Sequence, residues 1–138
     1  MSGLAAVLAG RHDRGVHTWH SGLHVPDVQH AVEHAGWRFG YVDGVALAEK
    51  EEVLRAIGDA LDFAPHFRGK SIDGLNDCLR DVAEPTVLLW DGWGVFARES
   101  PRAFEKVRKV LTKRTEDAPP FQVLLRGPGP DDGIDSLD

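Results

Sequence analysis

The chain has 138 residues, 42% of them hydrophobic and 28% charged, with a formal net charge of −6. That length suits one domain with a full hydrophobic core, and excludes both two complete domains and a small scaffold dependent on staples. The one cysteine excludes an internal disulfide and a thiolate-rich zinc site, and no run reaches the ~18 apolar residues of a membrane span.

Residues 4–9 (LAAVLA) are apolar, but the run is short and follows no basic residue, so it does not read as a secretory signal. A reducing cytoplasm is the expected location. The acidic excess lies in residues 43–91, with eleven acidic against five basic side chains, while the flanking segments balance. Such a middle repels phosphates, which argues against direct nucleic-acid contact. It favours a basic protein partner steered by charge, the plain alternative being an acidic surface kept for solubility.

In chain order, Val16–Trp19 reads as a short strand in a loop-rich stretch. Residues 27–35 form a helix on the stripe Val28, Ala31, Val32 and Ala35, stopped by Gly36. Trp37–Asp43 is a strand ending at an Asp-Gly turn. Residues 48–61 form a helix with Val53, Ile57 and Leu61 on one face. Ala64–Gly69 is a loop, and Ser71 caps a helix running to about Val82, with Leu75, Cys78, Leu79 and Val82 inward. Thr86–Trp90 is a strand covered on both faces. Residues 91–97 read as a loop, and Ser100-Pro101 opens a helix to about Thr115. Phe121–Leu125 is the last strand. The Gly, Pro and Asp content of residues 127–138 predicts a disordered acidic tail. Strands alternating with helices predict an α/β fold with a small three-stranded parallel sheet packed by helices. An extension with a short strand and a helix precedes it. No glycine-rich phosphate loop follows a strand.

Asp73 and Asp77 are one helical turn apart, and Asp81 continues the row. The apolar stripe lies on the other side of that helix, so the row faces solvent. Like charges at this spacing cost roughly 0.2–0.5 kcal/mol per pair, and a cationic partner reverses the sign. A solvated helix face is the simpler reading of the same spacing. Phe67, in the polar loop before the helix, is either part of a binding epitope or a lid over the core.

Residues 65–79 (PHFRGKSIDGLNDCL) resemble the barstar family of bacterial ribonuclease inhibitors. Pro65, Phe67, Gly69, Ile72, Asp73, Leu75, Asn76, Asp77, Cys78 and Leu79 fit its pattern, as do Tyr41–Gly44, Pro85–Trp90 and Phe121–Leu125. The resemblance covers residues 38–126, leaving 1–37 as an N-terminal extension and 127–138 as a tail. It implies a protein that is not an enzyme and needs no cofactor or metal. That protein, a monomer when free, plugs the active site of a basic, secreted guanyl-type ribonuclease one-to-one. Asp77 would then replace a substrate phosphate, Asp73 would pair with a neighbouring basic residue, and Phe67 would pack on the catalytic histidine. Asn76 and Gly69 would line the contact, beside Arg68 and Asp81. Arg68 stands where the family has a second aromatic, Gly74 where it has alanine, and Asn76 where it often has tryptophan. The family's acidic contact on the last helix has no clear match, since that helix is mostly basic. These departures leave open a different basic partner or toxin on the same fold.

Six histidines fall in residues 12–34, and His30 and His34 have a metal-capable spacing without the glutamate of a zinc protease. They read as a polar face. Cys78 reads as core, Trp90 and Trp93 as core and rim, and the basic residues of 102–114 as a solvated face.

Overall fold

The computed structural model describes residues 3–131 and 133–137. Residues 1–2 of the extension, and Asp132 and Asp138 of the tail, lie outside the described residues. Among the described residues ten elements follow in order: α1 (Gly3–Leu8), β1 (Val16–Thr18), α2 (Val25–His34), β2 (Arg38–Asp43), α3 (Lys50–Ala60), α4 (Ile72–Arg80), β3 (Thr86–Asp91), α5 (Gly94–Glu99), α6 (Pro101–Thr115) and β4 (Phe121–Arg126).

The sheet is wholly parallel, in the order β1-β4-β3-β2. Four strands stand where three were expected. A parallel sheet of β2, β3 and β4 leaves the far edge of β4 open, and β1 closes it through Val16–Val123 to Thr18–Leu125. The strand of the extension is therefore part of the central sheet.

Alternation along β3 and β4 divides the core. Leu88, Trp90, Phe121, Val123 and Leu125 face α3, α4, α5 and α6. Val87, Leu89 and Leu124 face the other way, under α1, α2 and Trp19. Both faces are dry, which is why these strands read as unbroken apolar runs.

Arg126 at the end of β4 fastens the extension. Its Nε and Nη2 donate to the Asp91 carboxylate at 2.6 and 2.9 Å, and Nη1 donates to Leu23 O at 2.7 Å. Tyr41 OH donates to the same carboxylate at 2.9 Å. Burial and that carboxylate push the Tyr41 phenol up to about 12.

Three further expectations change. Residues 91–97 do not stay a loop. Gly92 makes the turn at φ +69° and α5 begins at Gly94, burying Phe96 and Ala97. Ser100 opens α6 without a side-chain cap, because its hydroxyl donates to Ala48 O at 3.0 Å. The end of the tail packs on the domain: Thr18 N donates to Asp135 O, Leu137 N to Thr18 O, and Leu137 is 4% exposed beside Gly3. One leucine after a polar stretch found a hydrophobic seat that composition does not reveal. No described helix is long and apolar enough to cross a membrane.

Candidate partner-binding face

α3, α4 and α6 lie side by side on one face of the sheet, with α4 in the middle. The sequence dictates α4 locally. Ser71 has extended backbone and its Oγ accepts from Gly74 N at 3.0 Å, satisfying one of the free N–H groups of the first turn. Leu75, Cys78 and Leu79 are buried, so Asp73, Asp77 and Asp81 are exposed on the opposite side. Asp77 makes only a loose ion pair with Arg80, 3.7 Å apart with both side chains mostly in water, a contact worth little.

The far end of α4 is fixed by a buried arginine. Arg114 of α6 donates from Nε to Leu79 O at 2.9 Å and from Nη2 to Val82 O at 3.1 Å. Its Nη1 donates to Asp117 O and Pro119 O, both at 3.0 Å, and the guanidinium lies over the Phe121 ring. A cation thereby meets the carbonyl of Leu79 in the last turn of α4 and that of Val82 just beyond it, which suits the negative end of a helix. Burial pulls the Arg114 pKa down from its ordinary value.

The loop before α4 is held by shape. Phe67 is half-buried, edge-to-face on Phe63 at 5.1 Å between ring centres. Its ring occupies the space a side chain at Gly58 would need, since a Cβ there would lie 2.8 Å from it. Gly69 turns the chain at φ +68° against the backbone of Arg55, a conformation that favours glycine. Phe67 is thus both a lid over α3 and a wall of the surface.

Phe67, Arg68, Gly69 and Asp77 share the walls of a hollow of about 290 Å³, floored by Ser71, Gly74 and Cys78. Asp81 belongs to a second hollow of about 290 Å³, with Asp62, His66 and Glu84. Asp73 and Asn76 line neither. Cys78 touches both hollows, yet burial pushes its thiol pKa up, as do Asp81 and Asp77. That is the opposite of what a nucleophile needs. Gly58 and Arg114 have structural roles here that the sequence reading missed. A glycine inside a strong helix and an arginine within an apolar stripe were the available signals.

Elsewhere, His30 and His34 stack at 5.9 Å and His12 meets His17 edge-on. No group of three metal-binding side chains forms among the described residues. Trp90 and Trp93 are both core, and Trp93 Nε1 donates to Gly127 O at 3.2 Å.

These features define a small α/β domain that presents a row of carboxylates, with an aromatic beside it, on one rigid helix. The family model for barstar, the barnase inhibitor, matches residues 37–126. The chain belongs to the barstar family of ribonuclease inhibitors. The curated proteins contain no match to it.

Proposed function

We propose that this protein inhibits a basic, secreted guanyl-type ribonuclease by covering its active site one-to-one, acting in the cytoplasm of the producing cell without catalysis of its own. The observation that carries this reading is the exposed row Asp73, Asp77 and Asp81 on a helix pinned at both ends. A carboxylate on a rigid support imitates an RNA phosphate, and an arginine fork binds either in the same bidentate way. A ribonuclease cleft is cationic because its substrate is anionic, so the row both steers the encounter and fits its end state. Phe67 supplies the apolar contact and Gly69 the close backbone approach, with Asn76 on the flank of α4.

Arg68 supports a second reading. It is exposed on the rim of the Phe67 hollow and puts a cation toward a cationic target. A basic toxin other than a guanyl ribonuclease, with an acidic group near its centre, fits that arrangement.

Calorimetric titration against a panel of guanyl-type ribonucleases, at low and physiological salt, tests the first reading. One-to-one binding that weakens with salt and abolishes RNA cleavage is expected. No binding across the panel overturns it in favour of the second.

A further inference from the structure

The outer face of α6 carries a row that the ribonuclease reading does not use. Arg102, Lys106, Lys109 and Lys113 are all exposed at one-turn spacing, and none is in an ion pair among the described residues. The nearby Glu105 is engaged by Arg108 at 3.1 Å, and Glu116 follows one turn beyond Lys113. α6 packs directly against α4. Both helices lead back to the start of a parallel strand, so they run in the same sense. An acidic ridge and a basic ridge therefore lie beside each other, roughly 8–10 Å apart by ordinary helix packing.

Their levels match as well. The Arg114 guanidinium lies at the carbonyls of Leu79 and Val82, which brings Lys113 within about one turn of Asp81. Counting back by turns places Lys109 beside Asp77 and Lys106 beside Asp73. Asp73–Asp81 rises about 12 Å and Lys106–Lys113 about 10 Å.

We propose that this face pairs with the same face of a second copy of the chain. A twofold axis parallel to the two helices exchanges left and right while keeping height, so each acidic ridge lies over the other copy's basic ridge. Asp81 then meets Lys113, Asp77 meets Lys109, and Asp73 meets Lys106, each contact made twice. Arg80 must release Asp77, which their loose 3.7 Å contact allows. Other exposed charges around the ridge are Arg68 and Lys70, which share a hollow with Asp77, and Asp62 and Glu84, which share one with Asp81. Arg102 has no acidic counterpart, so the pairing is tightest toward the C-terminal ends. The dimer is electrostatic and salt-sensitive, and it replaces the sequence-based expectation of a free monomer. If the ribonuclease reading holds, the dimer hides the inhibitory row until a target displaces the second copy.

The test is sedimentation velocity of the full chain at about 0.01 M and about 1 M salt, where charges act over about 30 Å and about 3 Å. Wild type should associate to a dimer at low salt, with the association constant falling about tenfold or more at high salt. Asp77→Lys/Asp81→Lys sets cation against cation, and Lys109→Glu/Lys113→Glu carboxylate against carboxylate, at the two tightest pairs. All four sites are exposed, and thermal unfolding checks that each variant folds. Each variant alone should be monomeric, and a one-to-one mixture should form a heterodimer. A monomeric wild type at low salt, a variant that still self-associates, a mixture that stays monomeric, or open-ended oligomers would each overturn the proposal. No ribonuclease enters the assay, so its outcome is separate from that of the inhibition test.

Discussion

Arg114→Met removes the cation that closes α4 while keeping most of the aliphatic bulk. Four carbonyls lose a donor: Val82, whose bond is buried, Leu79, which keeps the Val82 N–H at 3.2 Å, and Asp117 and Pro119, whose bonds are partly exposed. Leaving a buried acceptor unsatisfied costs about 1–3 kcal/mol, whereas water replaces an exposed partner for much less. One buried orphan at about 1.5 kcal/mol and three compensated or partly wetted bonds at about 0.5 kcal/mol each give a loss of about 3 kcal/mol. For a chain of this size the melting temperature should fall by roughly 8–12 °C. Urea denaturation measures the free energy directly, and an unchanged slope confirms that the same surface is exposed on unfolding. Lys113→Met, one residue away and exposed, should stay within about 0.5 kcal/mol of wild type. The reasoning fails if Arg114→Met loses less than about 1 kcal/mol. In that case the carbonyls have found water, and α4 is not held at its far end by this side chain.

Asp77→Ala should leave stability almost unchanged, since its side chain is 73% exposed, and should weaken binding to a cognate guanyl ribonuclease by roughly 2–5 kcal/mol. Undiminished inhibition in a cleavage assay removes the phosphate-mimic role. Gly58→Ala should destabilise the protein by about 1 kcal/mol although helix propensity alone predicts a gain of about that size. In a Phe67→Ala background the same change should become stabilising, and an unchanged sign in chemical denaturation argues that the ring is not seated on Gly58. Burial, chiefly, and the His12 ring hold His17 below its ordinary pKa, against Asp135, a bond to Gln122 and Asp13. The neutral ring therefore contributes stability above the unfolded value of about 6.5, lost as pH falls through and below it. His17→Gln should flatten that part of the stability–pH curve, and an unaltered slope counts against the assignment. Leu137→Ala should cost about 2 kcal/mol by emptying the seat beside Gly3. A thermal shift near zero means that the tail does not dock.

Periodicity alone placed most of the framework. The stripe Leu75, Cys78 and Leu79 oriented α4, and with it the exposed side of the carboxylate row, because helix geometry converts spacing into direction. The apolar runs Thr86–Trp90 and Phe121–Leu125 marked doubly covered strands for the same kind of reason. What these local rules lack is knowledge of neighbours at long range. Nothing between residues 11 and 24 says that Val16–Thr18 pairs with a strand more than a hundred positions away, and a strand of three residues has no stability outside the sheet it joins. Gly94 punctuates the sequence as a loop residue, yet α5 forms because Phe96 and Ala97 gain a core there, and burial outweighs propensity. Ser100 carries the local signature of a cap but spends its hydroxyl on Ala48 from the other side of the domain. The carboxylates of the candidate site were legible because they sit in one helix. The parts that hold it in place, Gly58 beneath Phe67 and Arg114 at the end of α4, were not. Their partners come from other elements, and only the packed tertiary structure brings a glycine under a ring or a guanidinium onto another helix's last carbonyls.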